Sequence, residues 1–302
     1  MTNLKTKEII ENACKAGLVV PAFNVPHLPM MQMIIGAIRE TDSFGLIQVA
    51  RLEWEKFESK SLKAIRDEYA KWSDVKHTRL HLDHSPVVDE DGEVVDFESI
   101  ISEAIDLGYE SVMVDGSRLS LDDNIAATKK AVKLAHRADL PIEAELGAVL
   151  GHESGPMPPY EELFESGQGF TDPEQARRFV DETEVDWLSV SFGNIHGAIS
   201  GAAKSQKKVE AKLDIAHLDK IRQAAQVPLV LHGGSGIQKK YLLEAFKHGV
   251  AKINIGTILR QVYESAASQS IEQGQKNTFV ETKRLLIDEL QIAGKSMMIN
   301  PS

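Results

Sequence analysis

The chain has 302 residues, 42% of them hydrophobic and 26% charged, enough to bury roughly three-quarters of its unfolded surface, which excludes a disordered, collagen-like or disulfide-stapled protein. Asp and Glu number 45 against 34 Lys and Arg, a formal charge of −11; that balance supplies no long-range attraction to nucleic acid or to an anionic membrane. Cys14 is the only cysteine, so an intrachain disulfide and a thiolate zinc knot are both excluded, and any metal falls to His and carboxylate.

Residues 1–17 read as an amphipathic helix without the basic end and apolar run of a secretory leader. No stretch approaches the roughly 18 consecutive apolar residues of a membrane span, and the expected location is the cytoplasm. Short apolar runs at 18–24, 46–49, 78–83, 111–115, 142–146, 187–191, 229–232 and 252–255 predict strands. Between them, apolar residues at three- and four-residue spacing predict helices, clearest at 30–41, 97–107, 121–138 and 173–182. Ser120 caps one of these, Asp172-Pro173 opens another, and Gly108 and Gly249 sit just past helix ends.

Two regions break the rhythm. Residues 150–169 hold four glycines and three prolines and read as an active-site loop. Residues 198–212 are small, polar and lysine-rich, a second loop. From Thr278 onward the pattern predicts one further amphipathic helix. Eight strand–helix units without a linker predict a single α/β domain over 1–302, a TIM (β/α)8 barrel with an extra C-terminal helix. The alternative, a doubly wound open sheet, lacks a glycine fingerprint after its first strand.

Asn24, Asp83, His84, Asp115, Glu145, His232 and Asn254 fall at or near the downstream ends of predicted strands, and His196 lies just beyond the sixth. In a parallel barrel those ends converge on one face, where such enzymes carry their chemistry. His81, His84, His196 and His232 each belong to or follow a strand; three such imidazoles with Glu145 make a catalytic zinc arrangement. The Gly-Gly-Ser-Gly at 233–236, ahead of a helix, suits a phosphate, because glycine lets backbone N–H groups approach an anion.

The motifs TRLHLDH (78–84), SVMVDGS (111–117), EAELG (143–147), FTDPEQARRFV (170–180), SFGNIHG (191–197), VPLVLHGGSGI (227–237) and GVAKINIGT (249–257) resemble, in order, those of the class II, zinc-dependent ketose-bisphosphate aldolases. The resemblance runs from about residue 4 to 265. It implies cleavage of a phosphorylated ketose, such as fructose or tagatose 1,6-bisphosphate, into dihydroxyacetone phosphate and an aldehyde. Carried over by position, His84, His196 and His232 would be zinc ligands, and Glu145 a carboxylate that meets zinc in some states. Asp83 would be the acid/base on the C4 hydroxyl, and Glu153 the loop group that moves the C3 proton. Gly197, Gly233, Ser235, Asn254 and Thr257 would hold the dihydroxyacetone phosphate half, with Asn24 facing substrate. The resemblance also implies a monovalent cation and a homodimer or homotetramer.

Asp83 precedes His84 directly, so the base would be tethered by one peptide bond to a metal ligand, which suits metal-assisted retro-aldol cleavage. The sequence departs from the family pattern at Ala50 (usually Ser), Ser85 (usually Gly), the loop 150–154, and Gly256 and Ile258 (usually Asp). These changes alter substrate contacts while the metal and phosphate residues remain. Two other readings stand beside the zinc aldolase: a Schiff-base aldolase using Lys252, and a barrel that only binds a sugar phosphate.

Overall fold

The computed structural model describes residues 3–147, 160–194, 211–234 and 236–301. Helix α1 (Thr6–Ala16) leads into β1 (Val20–Asn24), α2 (Met30–Glu40) and β2 (Gly45–Val49). After the short α3 (Arg51–Lys56) come α4 (Leu62–Trp72), β3 (Thr78–Leu82), α5 (Phe97–Asp106), β4 (Val112–Val114), α6 (Leu121–Arg137) and β5 (Ile142–Leu146). Then follow α7 (Tyr160–Ser166), α8 (Pro173–Thr183), β6 (Trp187–Val190), α9 (Ile215–Ala225), β7 (Leu229–Leu231), α10 (Lys239–Lys247), β8 (Val250–Ile255) and α11 (Thr257–Ala267). Every predicted strand is present, shifted at its ends by a few residues at most.

Local chemistry starts the helices where it should. Ser61, Asp96, Ser120, Asp172 and Asp214 each accept the N–H of the residue three positions on, satisfying a donor that the first helical turn leaves unpaired.

The strands pair in parallel in the order β3-β2-β1-β8-β7-β6-β5-β4. The two ends of that sheet meet at a parallel bridge between His81 and Ser111, where Leu82 N–H bonds the Ser111 carbonyl at 2.9 Å and Glu110 N–H the Leu80 carbonyl at 2.9 Å. The result is an eight-stranded barrel wrapped in helices, the TIM architecture. Outward strand residues such as Phe23, Ile47, Leu82 and Val190 pack under the helices in the main apolar core. A second apolar cluster closes the barrel's N-terminal end: Ile9, Ile10 and Ala13 of α1 lie on Val20, Leu46, Trp187 and Val230.

The C-terminal part is more than the one helix expected from Thr278. Helix α12 starts earlier (Ile271–Arg284), capped by Ser270, and packs on α2 and α11. It widens into a π-helical turn, Leu285–Glu289, before the short α13 (Ser296–Ile299) reaches α1. Of the predicted irregular loop at 150–169, residues 160–166 form α7; residues 150–159, like 198–210, lie outside the described residues. Among the described residues no helix is long and apolar enough to cross a membrane.

Candidate active site

Strand alternation decides which side chains face the barrel interior. The parallel register sets Ala22 beside Leu46 and Asn254, Asn24 beside Gln48, Gln48 beside His81, and Glu145 beside Ser189 on one inner surface. Just beyond the strand ends that surface opens into a cleft of about 1270 Å³, lined by Asn24, Asp83, His84, Asp115, Glu145, His232, Gly233, Asn254 and Thr257 among others. Residues far apart in the chain, singled out by position alone, therefore share one chamber. Glu153, His196, Gly197 and Ser235 lie outside the described residues.

Asp83 is buried and held by three amides. Its Oδ2 accepts hydrogen bonds from Asn24 Nδ2 (2.8 Å) and Gln48 Nε2 (3.2 Å), and its Oδ1 from Asn254 Nδ2 (3.0 Å). Burial acts to raise its pKa, but His84, Lys252 and His232 outweigh that and hold it down at about 2. It is a fixed, ionised carboxylate at the wall of the cleft.

His84, the next residue, bonds Asp115 Oδ2 through Nδ1 at 2.9 Å; Asp115 is itself set by the Ser117 N–H (3.0 Å) and hydroxyl (2.6 Å). Burial acts to lower the His84 pKa, yet Asp83, Asp115 and Glu145 together raise it to about 10. His232 bonds Glu143 Oε1 through Nε2 at 2.8 Å and lies 3.0 Å from Glu145 Oε2 through Nδ1. The two rings are 4.7 Å apart, centroid to centroid.

Ligand atoms of Asp83, His84 and His232 lie within 4.8 Å of one another, as do those of His84, Asp115 and Glu145. That spacing suits donors that meet one ion at about 2.0–2.2 Å each. The outer partners suit it too: a carboxylate behind each imidazole fixes the tautomer and aims the opposite nitrogen at an ion. The negative field that raises both histidines attracts a divalent cation equally, so the donor set fits zinc.

Beneath this layer lies a polar layer centred on Glu143, which the sequence reading did not single out. Glu143 accepts from Trp187 Nε1 (2.7 Å), His232 Nε2 (2.8 Å) and Lys252 Nζ (2.8 Å), all fully buried. Lys252 also donates to Asn254 Oδ1 at 2.6 Å. Locked between these partners, Lys252 fills a barrel layer, and the Schiff-base reading loses its nucleophile. His81 is buried against Ser111 (2.8 Å), with burial and then Lys252 lowering its pKa to about 3. The signal was available: Glu143 and Glu145, His81 and Asp83, and Lys252 and Asn254 are each two residues apart, the strand period.

Glycines shape the rim. Gly233 and Gly236 adopt φ of 69° and 96°, where only glycine is unstrained, so the turn after β7 depends on them. Gly256, at a departure from the family pattern, leaves Asn24 Oδ1 only 3.3 Å from where a Cβ would stand.

The family model for class-II fructose-bisphosphate aldolase matches residues 4–299. The chain belongs to the class-II fructose-bisphosphate aldolase family. Membership supports an aldolase-type carbon–carbon lyase, and class-II aldolases are generally zinc dependent, in keeping with the donor set above. The structure is similar to that of the YdjI aldolase from Escherichia coli K12, with a TM-score of 0.75 and 26% identity over 98% of this chain and 100% of that one. It is equally similar, at 0.75 and 25%, to a Coccidioides immitis protein named as a candidate fructose-1,6-bisphosphate aldolase, over 97% and 98% of the two chains. The fold alone is shared with fructose-bisphosphate aldolase from Campylobacter jejuni, at 0.72 and 17% over 96% of both chains.

Proposed function

We propose that this class-II aldolase is a zinc enzyme that reversibly cleaves a phosphorylated ketose, by default fructose or tagatose 1,6-bisphosphate. The products would be dihydroxyacetone phosphate and an aldehyde such as glyceraldehyde 3-phosphate. The observation that carries this reading is the adjacent pair at the end of β3: Asp83, ionised and held by three amides, beside His84, which faces His232. A site that only bound sugar phosphate would have little use for such a base.

His84 and His232 would hold the ion with Glu145 within reach, and the resemblance adds His196. When bound, zinc supplies Lewis acidity next to the carbonyl, easing the build-up of negative charge there. Asp83 takes the proton of the C4 hydroxyl, the C4 oxygen becomes the aldehyde carbonyl, and the C3–C4 bond breaks. The released electron pair passes to C3 and the C2 carbonyl; in the synthetic direction Asp83 returns the proton. A positioned base of this kind contributes about 10²–10⁴-fold. Asn24, Gln48 and Asn254 keep the carboxylate from rotating away from that hydroxyl. By resemblance, Gly197, Gly233, Ser235 and Thr257 would bind the triose phosphate half and Glu153 would exchange the C3 proton. A monovalent cation, a homodimer or homotetramer and a cytoplasmic location complete the reading.

The test is triose phosphate release from a panel of ketose phosphates by zinc-loaded protein, with EDTA and borohydride controls. Cleavage that is lost in EDTA and leaves no trapped lysine adduct is expected. Silence across the panel would overturn the reading in favour of a sugar-phosphate-binding barrel, and a trapped adduct would restore the lysine mechanism.

A further inference from the structure

Glu53 was not singled out in the sequence, yet the residue is only 8% exposed at the wall of the catalytic cleft, on the first turn of α3. Its Oε2 accepts the Ala50 N–H at 2.8 Å and lies 3.3 Å from Asn24 Nδ2. That same Asn24 nitrogen bonds Asp83 at 2.8 Å, so a single amide separates the catalytic base from a second carboxyl. The Glu53 Oε1 takes no hydrogen bond from the described residues, although the side chain borders open cleft. A capping role explains Oε2 alone. With no protein donor, that oxygen is left to water or to a ligand in the cleft.

The surroundings narrow what that is. Ala50, whose N–H the Glu53 carboxyl accepts, stands where the resemblance expects a serine, so this wall lacks a hydroxyl beside that carboxyl. Because Asp83 serves the C4 hydroxyl, a group one amide further along the wall meets the substrate beyond C4, in the aldehyde half. We propose that Glu53 is a specificity-determining residue that hydrogen-bonds the hydroxyl next to the aldehyde carbon, the C5 hydroxyl of the ketose, and disfavours substrates that lack it. Burial raises the Glu53 pKa to about 8, against the Ala50 N–H, so near neutrality the carboxyl can either accept from or donate to that hydroxyl. A site built around such a bond discriminates strongly, because the deoxy compound leaves the buried group unpaired.

This inference rests on the aldolase reading, and the experiment separates the two. Condensation of dihydroxyacetone phosphate is followed with two aldehydes, glycolaldehyde, which has the hydroxyl, and acetaldehyde, which does not. The kcat/KM ratio is compared between wild type, Glu53→Ala and Glu53→Gln, so that intrinsic aldehyde reactivity cancels. Glu53→Ala is expected to lower the ratio about ten- to a hundredfold, mainly through the hydroxylated substrate, while Glu53→Gln retains most of it through its amide. If Glu53→Ala does not fold, Glu53→Met, which fills the volume without a polar atom, takes its place. An unchanged ratio, or an equal loss on both aldehydes, would overturn the role of Glu53 and leave the aldolase standing. Wild-type protein that condenses neither aldehyde and cleaves no ketose phosphate would overturn both.

Discussion

Asp83 is ionised because its surroundings are positive, and three amides leave it one orientation. Asp83→Ala is expected to keep zinc, measured by metal analysis after gel filtration, while cleavage falls by about 10²–10⁴. An active, zinc-bound variant would remove the base from the mechanism. Glu53 makes a stability prediction of opposite sign. Its carboxyl keeps a proton to about pH 8 in the fold but loses it near 4.5 in the unfolded chain. Between those values the unfolded state binds fewer protons, so stability falls as pH rises. Glu53→Gln has no such dependence, and its stability advantage over wild type in EDTA should grow from pH 4.5 to pH 8 in urea melts. Parallel curves would refute the shift. At this scale the sequence was legible where a polar residue ended a strand, as Asp83 and His232 do. It was opaque where burial came from packing: nothing around His77 in the sequence announces that it is buried between Asp74 (3.0 Å) and Asp42 (3.3 Å). Glu53 reads as an ordinary helix glutamate until α3 is seen folded against the cleft.

Between elements, the inner polar layer positions the outer one. Glu143 joins β5 to β6, β7 and β8 through Trp187, His232 and Lys252. Glu143→Gln would leave the Lys252 charge buried without its counterion, a loss of about 3–5 kcal/mol in urea unfolding. It should also weaken zinc binding about 10- to 100-fold in competition with a chromophoric chelator, because His232 loses its orienting carboxylate. Adding Lys252→Met should restore much of the stability and none of the zinc affinity; recovery of both would mean that Glu143 serves the core alone. Gly116, after β4, is constrained from outside: a Cβ there would stand 2.2 Å from Asn124 Oδ1, and the Asn124 amide bonds the Glu145 carbonyl at 3.0 Å. Gly116→Ala is therefore expected to cost about 1–3 kcal/mol by overpacking, read as a lower melting temperature. Helix and strand positions were visible in the sequence because periodicity and caps are local. The start of α12 was not, since Gly274 and Thr278 are buried against neighbours that no local pattern announces.

For the whole molecule, strand count and parallel connection made the barrel predictable, and the barrel in turn gathered the site. Legibility ended where closure depends on long-range packing. Helix α1 reads as an amphipathic helix, but nothing local says that its apolar face stoppers the barrel, with Ile9, Ile10 and Ala13 fully buried. The geometry of β3 against β4 is another such feature. Elsewhere strands share two or more consecutive register pairs, whereas here two separate bridges join the chain segments, at His81–Ser111 and at Pro86–Asp115. This is the seam of the barrel, and His84 and Asp115 reach across its upper end to one another. A cation held by His84 would act as a clasp on that seam, tying the catalytic ion to the integrity of the cylinder. Amide deuterium uptake at Leu82 and Glu110 should accordingly slow when zinc is added, with little change at the well-paired β1–β2 junction.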